Sequence, residues 1–148
     1  MEIVQQPAFA TFALCAAWLV FKMMLVGHVS GFWRIMKRSY LNPEDARAFS
    51  QMDEVQQAED PDIARTLRAH RNDLESTLPF LAIGLVYLAT DPSPGLAKGL
   101  IVTFTAFRTL FSVFYLAGMQ PWRSLSFIVA EVCVVVMLVQ IVMWAVAG

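Results

Sequence analysis

The chain has 148 residues, 57% hydrophobic and 16% charged, an apolar excess over ordinary soluble domains that points to one compact membrane domain. A formal net charge of -1 excludes a general binder of nucleic acid, which needs a basic surface to neutralise phosphates. Cys15 and Cys133 both fall inside apolar stretches and read as small buried hydrophobes, with no disulfide framework and no metal-ligand spacing.

A helix of about 20 mostly apolar residues covers a hydrocarbon core. Four segments answer to this, at about 7–29, 61–89, 96–117 and 124–147, with a loop at about 30–60, which predicts an all-α, integral membrane four-helix bundle in a single domain over 1–148. The first segment has only Glu2 in front of it, with no basic region and no small-residue cleavage pattern behind, so it reads as a mature helix and not as a secretory signal. Within the loop, Asn42-Pro-Glu-Asp-Ala46 places a cap, a proline at the first helical position and two acids in the first turn, which is a helix start. Pro61-Asp62 restarts a helix in the same way. The second span therefore begins outside the membrane and carries charged turns to its boundary. Asp91-Pro-Ser-Pro-Gly95 is a tight turn, Gly118 and Gln120-Pro121 close the third span, and the fourth is Val, Leu, Ile and Met apart from Glu131 and Gln140.

Arg34, Lys37, Arg38, Arg47, Arg65, Arg68, Arg71 and Arg123 lie on one side of this topology and only Lys98 on the other. The positive-inside tendency places the first group in the cytosol. The stretch Thr66 to Glu75 is the costly one, because ionisable groups entering the hydrocarbon zone are normally paired or turned to a polar cavity. At about 100° per residue, Arg65, Arg68, Asn72 and Glu75 form one stripe with Arg71 on its flank, and Ile63, Leu67, Leu74 and Leu78 take the opposite face. The stripe is expected to face a hydrated bundle interior or a subunit interface. The bland alternative is a set of snorkelling charges with one internal Arg-Glu pair. His70 falls toward the apolar face, as a packing residue.

Thr105, Arg108, Ser112 and Tyr115 recur at intervals of three and four, so they share a face of the third span. An arginine as deep as Arg108 needs a carboxylate, for which Glu75 and Glu131 are the candidates. Arg123 and Ser124 stand at the membrane border beside Trp122, a natural interface anchor. Guanidiniums that grip carboxylates bidentately, a Glu75 that receives an ammonium, and Asn72 as donor and acceptor suit a small zwitterion with more than one carboxylate. The adjacent Arg123 and Ser124 suit a thiolate or another developing anion, and the membrane side admits an apolar second substrate.

Glu59-Asp-Pro-Asp-Ile-Ala-Arg-Thr-Leu-Arg-Ala-His-Arg-Asn-Asp-Leu-Glu75, followed by Leu78-Pro-Phe-Leu81 and Gly84-Leu-Val-Tyr87, resembles the MAPEG family, the membrane-associated proteins of eicosanoid and glutathione metabolism. Phe21-Lys-Met23, Gly31 to Arg34 and Asn42-Pro-Glu-Asp-Ala46 extend the resemblance over nearly the whole chain, within the microsomal glutathione transferase and inducible microsomal prostaglandin E synthase branch. The resemblance implies a four-helix subunit, a homotrimer, and glutathione held between subunits near the cytosolic side. It implies that Arg34, Arg68, Arg71, Asn72, Glu75, Arg108, Ser112, Tyr115 and Phe127 bind glutathione or support its binding. In the same set Arg123 stabilises the thiolate, Ser124 donates a hydrogen bond and Asp45 assists. A thiol of ordinary pKa about 8.5 is mostly protonated at neutral pH, so positive charge beside it speeds attack.

Phe111 and Phe127 depart from the prostaglandin synthase pattern, which has histidine and tyrosine there. Leu125-Ser-Phe127 is more similar to the glutathione transferases, whereas Arg71 is more similar to the synthase. The expected function is a membrane-bound glutathione transferase that conjugates apolar electrophiles and reduces lipid hydroperoxides, with glutathione, an apolar electrophile or lipid, and membrane lipids as partners and no nucleic acid. A prostaglandin-E-synthase-like isomerase is the alternative inside the family. A non-catalytic lipid binder or a small exporter is the alternative outside catalysis. The expected address is a bacterial inner membrane or an organelle membrane, with the glutathione site facing the cytosol.

Overall fold

The computed structural model describes residues 3–50 and 55–147; the part of the expected loop at 51–54 lies outside the described residues. A 3-10 turn at Ile3–Gln5 leads into five α-helices, α1 Phe9–Lys37, α2 Pro43–Ser50, α3 Pro61–Ala89, α4 Pro94–Ala117 and α5 Trp122–Ala147, with no strand among the described residues. Helix α1 runs past the expected end near residue 29. No proline lies between Val29 and Lys37, the next one being Pro43, and Arg34 and Lys37 in the last turn suit the negative end of the helix dipole. Arg38 ends α1 in the left-handed region (φ 50), its N–H turned back on the Arg34 and Ile35 carbonyls.

The two starts built on proline form where the sequence places them. Asp60 Oδ1 accepts from the N–H groups of Asp62 at 2.9 Å and Ile63 at 3.4 Å, and Pro61 occupies a position whose N–H has no intrahelical partner. Pro94 likewise takes the first position of α4, two residues ahead of the expected 96, though Ser93 before it makes no side-chain cap. Gly118, at φ 71, closes α4 with its N–H directed to the Phe114 and Tyr115 carbonyls. Helix α5 begins at Trp122, two residues ahead of the expected 124, because the Arg123 N–H reaches Met119 O and the Leu125 N–H reaches Pro121 O, both at 3.1 Å.

The four long helices pack side by side, α1 against α3 and α4, α5 against α3 and α4, and α3 against α4. Their shared core joins Phe12 and Leu19 of α1, Phe80, Tyr87 and Leu88 of α3, Ile101 and Phe104 of α4, and Ala130, Val134 and Met137 of α5. The Phe80 and Phe104 rings stack at 3.8 Å. Gly84 lets α1 and α3 close here, since a Cβ at that position would fall 2.5 Å from Phe12 Cε2. Helices α1, α4 and α5 are long and apolar enough to cross a membrane. Helix α3 is as long as α1 but charged over its first half.

Helix α3 has three faces, where the sequence pattern suggested two. Ile63, Thr66, Ala69, Asp73, Ser76, Thr77 and Phe80 are buried against the other helices. Leu67 and Leu78, expected beside Ile63, are exposed instead. Arg65, Arg68, Arg71 and Glu75 form a second outward stripe, so the polar stripe does not face the chain's own interior as one of the two expected settings required. The small polar residues fill the inside because larger ones would not fit between packed helices.

Candidate active site

Where α4 turns into α5, a cavity of about 430 Å³ opens against the side of α3. Asn72 comes from α3, Phe111 and Tyr115 from α4, and Arg123, Ser124, Phe127 and Ile128 from α5. Phe111 and Tyr115 are four residues apart, as are Arg123 and Phe127, and Ser124 and Ile128, so each helix offers one face. The Arg123 guanidinium lies 4.8 Å over the Tyr115 ring, a cation–π contact. With the Gln120 amide turned so that both its ends find partners, its oxygen accepts from Arg123 Nε at 3.0 Å and its nitrogen donates to Ser124 Oγ at 3.1 Å. No carboxylate among the described residues pairs with Arg123. Its charge is therefore held in place yet available to an incoming anion.

Beyond Asn72 lies a buried ionic centre. The Lys22 ammonium donates to Asp73 Oδ1 at 2.8 Å, Ser112 Oγ at 2.8 Å and Arg108 O at 3.2 Å. Arg108 Nη2 donates to Asp73 Oδ1 at 3.1 Å and to Asn72 Oδ1 at 2.9 Å. Ser112 Oγ lies 3.1 Å from both Asp73 oxygens. The side chains of Arg108 and Asp73 are 0% exposed and that of Lys22 is 7% exposed, so water screens none of these charges. The guanidinium also lies 4.4 Å from the Phe111 ring centre and 5.9 Å from that of Phe127, both of them cavity walls.

The carboxylate that hydrogen-bonds Arg108 is thus Asp73, with Glu131 acting on the guanidinium only through its charge and Glu75 turned elsewhere. Glu75 is instead 3.3 Å from Arg71 Nε in an exposed i,i+4 pair, because its position on α3 belongs to the outward stripe. Asn72, expected to offer both donor and acceptor, has its oxygen turned to Arg108, an obligate donor, and accepts from it at 2.9 Å. Arg34 pairs with Glu59 at 2.7 Å at the foot of α1, Arg68 is exposed on α3, and Asp45 accepts from Asn42 Nδ2 at 3.0 Å on α2. Within one chain, therefore, Asn72, Tyr115, Arg123, Ser124 and Phe127 share the cavity, and Arg108 and Ser112 stand behind it. Arg34, Arg68, Arg71, Glu75 and Asp45 lie outside its lining. His70 packs against α1, where a Cβ on Gly27 would be 3.2 Å from its Cε1.

Three residues of this region escaped the sequence reading. Lys22 carried a signal, since a lone lysine inside an apolar segment requires a buried anion. Asp73 belongs to the row of small residues Thr66, Ala69, Asp73 and Thr77, spaced three and four apart, which marks the packed face. Gln120 carried none, because only the turn at Pro121 brings its amide to Arg123.

Long apolar helices around a buried ionic centre, with a cationic cavity at one end, are the architecture of a multi-pass integral membrane protein. The model of the MAPEG family matches residues 12–143, and the chain belongs to that family. It is 37% identical over 143 residues to prostaglandin E synthase of Bos taurus, covering 96% of this chain and 92% of the relative. It is 36% identical over 146 residues to prostaglandin E synthase of Homo sapiens, covering 98% and 94%. Microsomal glutathione S-transferase 1 of Homo sapiens is 35% identical over 131 residues, covering 86% and 84%.

Proposed function

We propose that this chain is a membrane-bound glutathione transferase that holds the glutathione thiolate beside Arg123 and directs it at apolar electrophiles, with lipid hydroperoxides as a further substrate class. The observation that carries this reading is the Arg123 guanidinium, fixed by Tyr115 and Gln120 and facing no carboxylate. A cation so placed lowers the pKa of a thiol beside it and raises the fraction of nucleophile. In conjugation of a halogenated arene, the thiolate sulfur forms a bond to the ring carbon and the halide departs with the bonding pair. The thiol proton has by then passed to solvent. Ser124 Oγ steadies the sulfur by a hydrogen bond, and Phe111, Phe127 and Ile128 give the electrophile an apolar wall. Asp45 is assigned an auxiliary part.

The reading extends to the assembly. One domain spans 1–148 as a four-helix bundle in the membrane, with the cavity toward the cytosol. Side-chain exposures of 81% for Arg71 and 63% for Glu75, with Arg68 also exposed, would be costly against lipid. A homotrimer covers this stripe and brings Arg34, Arg68, Arg71 and Glu75 of one subunit to glutathione at a neighbour's cavity. Isomerisation of a prostaglandin endoperoxide is the second reading, favoured by the names of the relatives at 36% and 37% identity.

The test is steady-state conjugation of 1-chloro-2,4-dinitrobenzene by the purified protein in detergent, with prostaglandin endoperoxide assayed in parallel. Saturable glutathione dependence with the chloroarene is expected. Loss of about 10²-fold in kcat is expected for Arg123→Ala, the scale for removing a donor from a developing anion. Wild-type protein that neither binds glutathione nor conjugates the arene would defeat the proposal, and turnover of the endoperoxide alone would favour the second reading.

A further inference from the structure

We infer that the buried Lys22–Asp73–Arg108 centre is a positioning device that sets the hydrogen-bond polarity of Asn72, so that Asn72 presents only N–H donors to a carbonyl or carboxylate oxygen of the bound tripeptide. The inference rests on the glutathione reading above. Arginine donates and never accepts, so the atom of Asn72 at 2.9 Å from Arg108 Nη2 is its oxygen. The same Nη2 lies 3.0 Å from the Asn72 backbone carbonyl, which pins the residue at two points. The Asn72 amide nitrogen makes no hydrogen bond among the described residues, and the residue lines the cavity.

Arg108 holds that orientation because it is itself held. Asp73 Oδ1 fixes Nη2 at 3.1 Å, and the Lys22 ammonium fixes the same oxygen at 2.8 Å. All three Lys22 protons have acceptors, in Asp73, Ser112 and the Arg108 carbonyl, so the lysine anchors the α1, α3 and α4 positions together. Lys22 and Arg108 share the one carboxylate of Asp73 in direct contact, Glu131 acting on Arg108 through its charge alone, and Arg108 Nε and Nη1 have no hydrogen-bond partner among the described residues. A centre built only for stability gains little from buried donors left without acceptors, since well-packed apolar residues commonly do as well. Holding one amide in one polarity needs both the donor-only guanidinium and the carboxylate that orients it.

The test separates polarity from stability through Asn72→Asp. A carboxylate at 72 still accepts from Arg108, so the melting temperature in detergent is expected to hold or rise. The cavity then meets an acceptor, and KM for glutathione is expected to rise at least about tenfold. Asp73→Asn, which frees Arg108, is expected to raise KM by about tenfold with kcat within about threefold, because Arg123 is untouched. Tyr87→Phe serves as the control. It removes a buried hydrogen bond to Gln140 at 3.0 Å, far from the cavity, and should lower the melting temperature while KM stays fixed. The inference is overturned by a wild-type KM in Asn72→Asp, by failure of that variant to fold, or by a rise in KM for Tyr87→Phe equal to that for Asp73→Asn. A wild-type protein lacking any saturable glutathione dependence is a different result and removes the transferase reading itself.

Discussion

The role proposed for Arg123 rests on neighbours that fix its guanidinium without neutralising it. Tyr115 offers a ring face at 4.8 Å and Gln120 an uncharged oxygen. Replacing that oxygen by a charged one is therefore informative: Gln120→Glu sets a carboxylate against the guanidinium and cancels its field at the thiol. The acid limb of the pH–rate profile should move to higher pH in this variant, toward the ordinary thiol value of about 8.5, while Gln120→Ala shifts it less. An unmoved limb in Gln120→Glu would show that the Arg123 charge does not act on the reacting sulfur. Tyr115, Arg123 and Ser124 were legible in the sequence because their spacing along two helices is local. The Lys22–Asp73 contact was not, since its partners are 51 residues apart and nothing in a linear pattern says which helices become neighbours.

The elements begin and end on chemistry that can be read directly. Asp60 caps α3 and also accepts from Lys37 Nζ at 2.8 Å, so one carboxylate both starts α3 and ties it to the end of α1. The Lys37 hydrogen bond, helped by the Asp62 and Ile63 N–H groups, holds the Asp60 carboxyl below its ordinary range. A carboxyl depressed in the folded state contributes stability above its unfolded pKa and loses it as pH falls through the lower folded value. Thermal unfolding should consequently show a smaller loss on acidification below about pH 4 for Asp60→Asn than for the wild type. Equal slopes would mean the tether contributes nothing. Higher up the same helix pair, Gly84→Ala drives a methyl into Phe12 and should cost about 1–3 kcal/mol, as overpacking of a closed core does, read as a lower melting temperature. The end of α1 was misjudged because apolar content fades before the helix does. The third face of α3 was missed because a wheel of one helix does not show which side its neighbours take.

At the scale of the molecule, exposed apolar side chains such as Leu14, Leu85, Val102, Val132 and Val146 coat the outside, as expected of helices that meet hydrocarbon and not water. The stripe of Arg68, Arg71 and Glu75 interrupts that coat. Its charges were evident in the sequence, but a single chain contains no surface that covers them. If a neighbouring subunit's glutathione covers the stripe, Glu75→Gln weakens glutathione binding more than it disturbs assembly, which calorimetry and size-exclusion chromatography in the same detergent separate. Loss of the trimer with unchanged binding per folded subunit would make Glu75 a structural ion-pair residue. The central claim, a thiolate held at Arg123, is tested most directly by the ultraviolet absorbance of glutathione titrated with the purified protein against pH. A thiolate band is expected to form well below the free thiol pKa in wild type and to return to the free-thiol range in Arg123→Ala. A band that titrates as free glutathione in wild-type protein would contradict that claim.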